Sequence, residues 1–124
     1  MLWTHRTIAA PPIAAWELLA TVERWPDWGP TVRDGELDPP GRFEAGATGR
    51  VRTVAGLSLP FELTELVAQR RWSWKVGGIP ATVHTVEPVA GGARVGFGVP
   101  LPAAAYLPVC VLALRAIDRL LTEA

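Results

Sequence analysis

IAAPPIAAWELLATVERWPDW, residues 8–28, is the stretch of this sequence that decides the fold. It predicts the end of a strand, a short amphipathic helix and a second helical turn that closes on two tryptophans. Pro11 and Pro12 separate the strand from the helix, because proline donates no backbone N–H to a sheet and fits the first turn of a helix. Apolar residues then recur at helical spacing and predict one buried helix face: Ile13, Trp16, Leu19 and Ala20.

The remainder of the chain predicts an antiparallel sheet followed by one long helix. Strand-favouring residues are separated by glycine-containing turns, of which Gly77-Gly78 and Gly91-Gly92 are the clearest. The predicted strands cover 2–9, 31–37, 48–54, 57–67, 71–76, 81–89 and 93–99. The last helix is predicted over about 103–122, and apolar residues fill well over half of its circumference. Since a surface helix needs an apolar arc of only about 100°, the excess must be covered by the sheet, a ligand or another subunit.

Alternation along the strands predicts which side chains face the core. The inward rows are Leu57, Leu59, Phe61 and Leu63 in one strand, Trp72, Trp74 and Val76 in the next, and Val95, Phe97 and Val99 in the last. Glu62 and Glu65 fall on opposite faces of a regular strand, so one of them is expected to point inward. A bulge at Pro60 would reverse that assignment.

Composition limits the classes of partner. The 124 residues are 49% hydrophobic and 19% charged, which is typical of one packed domain, here 1–124. Twelve basic and twelve acidic residues cancel, so nothing favours nucleic acid or an anionic membrane surface as a partner. The apolar run 95–114 is interrupted by prolines and glycines, and we expect no stable membrane insertion.

Cysteine and histidine are too sparse for several kinds of site. Cys110 is the single cysteine, which excludes an internal disulfide and a cysteine metal cluster and fits a reduced, cytoplasmic setting. Its place within an apolar helix face predicts an inert thiol. His5 and His84 lie far apart without metal-ligand spacing, so we expect no metal site and no cofactor.

The predicted order of elements resembles the helix-grip arrangement of the SRPBCC superfamily, also called START-like or Bet v 1-like, and especially its polyketide cyclase/dehydrase branch. The stretches that carry the resemblance are APPIAAWELLATVERWPDW at 10–28, FELTEL at 61–66, RRWSWKV at 70–76 and GGARVGF at 91–97. The resemblance implies an α+β fold in which a sheet of about six or seven strands wraps around a long C-terminal helix and encloses a cavity. Relatives of this kind include aromatase/cyclases, lipid and sterol carriers, hormone receptors and quinone-binding proteins.

Three residues are candidates for chemistry in such a cavity. His84, in mid-strand, would serve as a general base or acid; the alternative is a hydrogen-bonded or solvent-facing strand histidine. An inward Glu65 would have a raised pKa and shuttle protons, whereas a solvated glutamate would pair with Arg50 or Arg52. The resemblance places Tyr106 at the cavity mouth, where its hydroxyl would bind a ligand carbonyl; the alternative is an ordinary core tyrosine.

Aromatic residues form candidate walls for a flat, apolar ligand such as a polyketide ring, a sterol or a quinone. Trp16, Trp72 and Trp74 are expected in the core, and Trp25 and Trp28 at a lid or rim. An alternative is that these tryptophans simply fill a small core. The full set of candidate ligand-binding residues is Trp16, Trp25, Trp28, Phe61, Trp72, Trp74, Phe97, Leu112 and Ala113.

Three hypotheses for function follow. The first is a binding module that holds a small hydrophobic ligand, aromatic, polyketide-like or lipid-like, between the sheet and the C-terminal helix. The alternative is a polyketide cyclase, dehydratase or isomerase that uses one or two polar cavity residues for proton transfer. The third is an interaction protein whose exposed helix and rim tryptophans pair with a second subunit. A homodimer is compatible with the first two.

Overall fold

Residues 1–123, the part of the chain that the computed structural model describes, form seven strands and three α-helices. The strands are β1 (Leu2–Ile8), β2 (Val32–Leu37), β3 (Thr48–Thr53), β4 (Ser58–Val67), β5 (Arg71–Val76), β6 (Ile79–Val89) and β7 (Gly92–Val99). The helices are α1 (Pro12–Ala20), α2 (Trp25–Trp28) and α3 (Leu107–Thr122), with 3₁₀ turns at Val22–Arg24 and Leu101–Tyr106. The predicted order of elements is confirmed, and the predicted last helix is divided into a 3₁₀ segment and α3.

The strands form one antiparallel sheet in the order β1-β7-β6-β5-β4-β3-β2. All consecutive strands from β2 to β7 are neighbours, while β1 and β2 lie at opposite edges. The helix pair α1–α2 therefore has to carry the chain across one face of the sheet, and α1 packs on β6 and β7 while α2 packs on β2. Helix α3 lies on β1 and β7. This is the α+β helix-grip arrangement expected from the resemblance.

The two tryptophans of α2 close the end of α1. A helix leaves its last carbonyl groups without partners inside the helix. Here the indole N–H of Trp25 donates to the Leu19 carbonyl at 2.9 Å, and that of Trp28 donates to the Leu18 carbonyl at 3.0 Å. Trp25 and Trp28 are only 1% and 7% exposed, so the expectation that they lie at a lid or rim is wrong: they belong to the core.

Trp25 is the centre of an aromatic cluster. Its ring stacks on Trp72 at a centroid distance of 5.5 Å and meets Trp74 edge-on at 5.1 Å. Phe61 lies 5.4 Å from it and Phe43 lies 6.4 Å from it. Offset and edge-to-face contacts of this kind stabilise a core beyond the area that they bury. The cluster ties α2 to β4 and β5.

A bulge in β4 explains the position of the glutamates. Leu63 pairs with Trp74, but Glu65 pairs with Ser73, so Thr64 is an extra residue opposite β5. The alternation is reset at this point, and Glu62 and Glu65 are both exposed. The expectation that one of the two points inward is therefore wrong, and the bulge lies at Thr64 instead of Pro60.

Burial confirms most of the predicted inward rows. Phe61, Leu63, Trp72, Val95, Phe97 and Val99 are buried, whereas Leu57 is 58% exposed because it lies in the turn before β4. The face of α1 is rotated from the prediction, since Ile13 is 41% exposed and the helix buries Ala15, Trp16, Leu18 and Leu19.

Helix α3 uses one side of its wide apolar arc for packing. It buries Cys110, Ala113, Leu114, Ala116 and Ile117. The segment Leu101–Thr122 is long and apolar enough to cross a membrane by length and composition. Helix α3 packs on β1 and β7, and 28% of the most apolar window of this segment is buried.

Replacing Gly49 with alanine should destabilise the fold by about 1–3 kcal/mol, because a methyl group there overpacks the core. The added Cβ would meet the Glu36 carbonyl oxygen of β2 and would lie 2.6 Å from the Phe61 ring. Thr7→Ala, at an exposed position of β1, is the control and should change the free energy of unfolding by less than about 0.5 kcal/mol. Urea denaturation measures both values, and equal stabilities of the two variants would contradict the packing described.

Candidate functional site

A cavity of about 400 Å³ lies at one end of the sheet. It is found where β2, β4 and β6 begin, where β3, β5 and β7 end, and next to the 3₁₀ segment before α3. Its lining residues are Thr31, Val32, Val51, Thr53, Leu59, Trp74, Val76, Ile79, Pro80, Ala81, Thr82, Val99, Pro100, Ala103 and Tyr106. Val51, Thr82 and Val99 form its buried floor, while Ile79 on the rim is 70% exposed.

The cavity wall is apolar because it is built from the inward rows of the strands. Val76 and Val99 continue the rows of Trp74 and Phe97 by two residues each. No residue of this lining carries a charge at neutral pH. The polar side chains are four hydroxyls, those of Thr31, Thr53, Thr82 and Tyr106.

A second, smaller space of about 40 Å³ adjoins the cavity between α2, α3 and the sheet. It shares Val32, Trp74, Thr82 and Tyr106 with the cavity. The other lining residues are Trp25, Trp28, Gly29, Pro30, Trp72, His84, Phe97, Val109, Cys110 and Ala113. This volume suits a water molecule or the tip of a ligand, since drug-sized ligands occupy at least about 300 Å³.

His84 is held in one neutral tautomer by a chain of hydrogen bonds. The indole N–H of Trp74 can only donate, and it donates to Thr82 Oγ1 at 3.0 Å. The Trp72 carbonyl can only accept, so Nδ1 of His84, at 3.3 Å, carries the proton. Nε2 is then an acceptor, and the Thr82 hydroxyl donates to it at 2.9 Å. Both ring nitrogens of His84 are therefore occupied.

Burial also keeps His84 neutral. The side chain is 2% exposed, and its ring stacks on Trp72 at a centroid distance of 3.7 Å. Removal from water lowers the pKa of His84 to about 3, while the hydrogen bond to the Trp72 carbonyl acts in the opposite direction. The imidazole is thus a neutral ring held in place by its hydrogen bonds to Thr82 and Trp72. Of the two interpretations of His84, this geometry favours the hydrogen-bonded strand histidine over the general base or acid.

Tyr106 and Thr31 meet across the mouth of the cavity. Tyr106 Oη and Thr31 Oγ1 are 2.7 Å apart, so one hydroxyl donates to the other. Thr31 lies just before β2, and Tyr106 ends the 3₁₀ segment that leads into α3. Burial raises the pKa of Tyr106, with the Thr31 hydrogen bond acting in the opposite direction, so the phenol is neutral at physiological pH.

The structure separates the predicted site residues into three groups. Trp74 and Tyr106 line the cavity. His84 and the candidates Trp25, Trp28, Trp72, Phe97 and Ala113 line the smaller space. The remaining candidates line neither: Trp16, Phe61, Leu112 and Glu65.

The structure gives a physical reason why each of these four residues lines neither space. Trp16 and Phe61 are buried within the core itself. Leu112 is 51% exposed because it lies on the side of α3 that faces away from the sheet. Glu65 is exposed, and its carboxylate lies 2.8 Å from Arg71 Nε and accepts a hydrogen bond from Ser73 Oγ at 3.2 Å.

Sequence reasoning missed Thr31 and Thr82 altogether. Thr31 carries no signal of its own, because the partner of its hydroxyl comes from another element of the fold. Thr82 could have been found from its spacing to His84, since residues two apart in a strand share a face and these two are hydrogen-bonded. Val76 and Val99 could have been added from strand alternation, which had already placed them on the inner face.

The described residues favour neither a metal site nor a reactive cysteine. Within 1–123 no group of three or more His, Cys, Asp or Glu side chains is arranged to hold a metal ion. Cys110 is 1% exposed, and burial raises the pKa of its thiol to about 11. A thiol of that pKa is a poor nucleophile at neutral pH.

Comparison with known proteins identifies similar sequences and folds. A family model described as polyketide cyclase/dehydrase and lipid transport matches residues 3–121. Protein XoxI from Bacillus cereus has a similar structure, with a TM-score of 0.75 and 16% identity over 98% of this chain and 95% of that one. Protein NE0264 from Nitrosomonas europaea gives a TM-score of 0.68 and 19% identity, over 98% and 94% of the two chains. At these identities the structures show the fold alone. No curated protein matches the sequence.

The His84 imidazole should not titrate between about pH 8 and about pH 5, because its pKa of about 3 lies far below that range. The unfolded chain has the ordinary pKa of 6.5, so it binds the proton more readily than the folded chain between the two values. The contribution to stability is therefore complete above about pH 6.5 and is lost as the pH falls toward 3.

NMR titration of the two histidines measures this directly. His5 is exposed on the outer face, so its ring is the internal control for a histidine in contact with solvent. We expect ring-nitrogen shifts of His84 that show a proton on Nδ1 throughout the range. A His84 signal that moves with the pH near neutrality would contradict the buried network.

Proposed function

The chain belongs to the polyketide cyclase/dehydrase and lipid transport family, and from this membership we propose that it binds a small hydrophobic ligand in its 400 Å³ cavity. The observation that carries the proposal is the cavity itself. Ligand sites commonly occupy about 300–1,000 Å³ and have mostly apolar walls with a few polar groups. The cavity of this chain has that volume, and its wall carries hydroxyls as its polar side chains.

The strength of binding would come mainly from the removal of apolar surface from water. Each Å² of apolar surface that is buried contributes about 25 cal/mol, and a micromolar Kd corresponds to about 8 kcal/mol. About 330 Å² would supply that free energy before the costs of association are counted. Because the costs of association are subtracted from this gain, micromolar affinity requires that more than this area, counted over ligand and cavity wall together, is buried.

The geometry favours binding over the alternative of a polyketide cyclase, dehydratase or isomerase. Such a reaction needs a group that takes up and releases a proton near neutral pH. Among the candidates, Glu65 lies on the outer face, and His84 is neutral with both nitrogens in hydrogen bonds. Tyr106 remains as a neutral hydrogen-bonding group at the mouth, which is a role in binding.

Filling the cavity with Ala103→Trp should weaken ligand binding by at least about tenfold, because the indole would occupy the space that the ligand needs. Ala103 lines the cavity and is exposed in the 3₁₀ segment, so the change can be made without disturbing the core. Fluorescence enhancement of the neutral dye N-phenyl-1-naphthylamine would measure the Kd of both proteins.

Ala104→Trp is the matched control. Ala104 is the next residue of the same exposed segment and does not line the cavity. Its tryptophan variant should bind the dye within about twofold of the wild type. Dye binding that is equally strong in the Ala103→Trp variant would place the ligand elsewhere, and a wild-type protein that does not bind neutral apolar compounds would overturn the proposal.

A further inference from the structure

We infer that the ligand is electrically neutral and carries a hydrogen-bond acceptor, such as a carbonyl oxygen, that meets the Thr31–Tyr106 hydroxyl pair at the cavity mouth. This inference rests on the proposed function and names the chemical class of molecule for the same site. The inference follows from the charges and the hydroxyl protons that the cavity presents to a ligand.

The cavity offers no positive charge to an acidic ligand. Lys75 lies between the lining residues Trp74 and Val76 of β5 and is exposed on the outer face. Arg50 and Arg52 of β3 also lie on the outer face, and both have other partners. Arg52 binds Asp34 at 2.7 Å and Glu36 at 3.0 Å, and Arg50 donates to the side chain and carbonyl of Ser58 at 2.9 Å. A carboxylate drawn into this wall would lose its hydration without gaining a counter-charge, which is strongly unfavourable.

The floor of the cavity offers no free hydroxyl proton. The proton of Thr82 is committed to Nε2 of His84, since the other nitrogen of that ring donates to the Trp72 carbonyl. The indole N–H of Trp74 is committed in turn to Thr82 Oγ1. The deep end of a ligand therefore meets an apolar surface and should itself be apolar.

The mouth does offer a proton. Thr31 and Tyr106 share a single hydrogen bond, which uses one of their two hydroxyl protons and leaves the other for a ligand. The hydroxyl that accepts within the pair is polarised by its partner and becomes the better donor. Thr53, at the rim, accepts from the Leu57 backbone N–H at 3.2 Å within its turn, and its own proton is a second possible donor. We place the acceptor at the Thr31–Tyr106 pair because Tyr106 borders both the cavity and the smaller space beside it, whereas Thr53 borders the cavity alone.

Three probes with the same ring system separate charge from hydrogen bonding: naphthalene, 2-acetylnaphthalene and 2-naphthoate. Their Kd values near neutral pH follow from NMR titration, with the indole N–H of Trp74 as the reporter because Trp74 lines the cavity. We expect the ketone to bind about fivefold more tightly than naphthalene, as one neutral hydrogen bond allows. The carboxylate should bind at least about tenfold more weakly than the ketone.

The double variant Thr31→Val/Tyr106→Phe removes the pair and should abolish the advantage of the ketone, while the Kd of naphthalene changes by less than about twofold. Thr53→Val, which removes the other rim hydroxyl, is the control and should preserve that advantage. Thermal unfolding and the naphthalene Kd together show whether the double variant keeps its fold. If it does not, Tyr106→Phe and Thr31→Val are compared one at a time.

The outcomes distinguish the two proposals. If naphthalene binds but the ketone has no advantage, if that advantage survives loss of the pair, or if naphthoate binds as tightly as the ketone, the ligand class is wrong and the binding function stands. If none of the three compounds binds the wild-type protein, the binding function fails, and the ligand class fails with it.

Discussion

The two indole N–H groups that close helix α1 are the contacts on which the rest of the structure depends. The carbonyls of Leu18 and Leu19 would otherwise end a nine-residue helix in the interior without partners. By donating to them, Trp28 and Trp25 fix α2 against α1. Both rings then lie under the sheet, where Trp25 stacks on Trp72. One pair of side chains thus satisfies the helix end and supplies the centre of the core.

A buried histidine in such a core needs a complete set of partners, and the chain supplies one. Trp74 donates to Thr82, Thr82 donates to His84, and His84 donates to the Trp72 carbonyl. Because a group that can only donate stands at one end and a group that can only accept stands at the other, every proton in this series has a fixed place. This fixed arrangement of protons explains why His84 stays neutral while its ring packs like that of an aromatic residue. The indole N–H of Trp72, by contrast, is buried without a hydrogen-bond partner in the part of the chain described.

The sequence predicted those parts of the fold that depend on local periodicity. Strand alternation placed Trp72, Phe97 and Val99 correctly because neighbouring side chains of a strand must point to opposite faces. It failed for Glu65, since the bulge at Thr64 arises from pairing with β5 and has no local mark. It could not find the contact between Thr31 and Tyr106, which are 75 residues apart. The prediction that Trp25 and Trp28 lie at a rim was wrong because it did not consider the carbonyl groups at the end of α1, to which both indoles donate.

The cavity itself results from a gradient of side-chain size along the inward rows. In β5 the row runs from Trp72 through Trp74 to Val76, and in β7 the row Val95, Phe97 and Val99 has its large residue in the middle and a small one at the cavity end. The tryptophans of α2 pack against the large residues Trp72 and Trp74. At the other end, near Val76 and Val99, the 3₁₀ segment contributes the small side chain of Ala103. An apolar space left by small residues loses the dispersion contacts that a filled core would have. Larger residues at Val51, Val76 and Ala103 would fill this space, and the small side chains that stand there leave it open for the ligand that we propose.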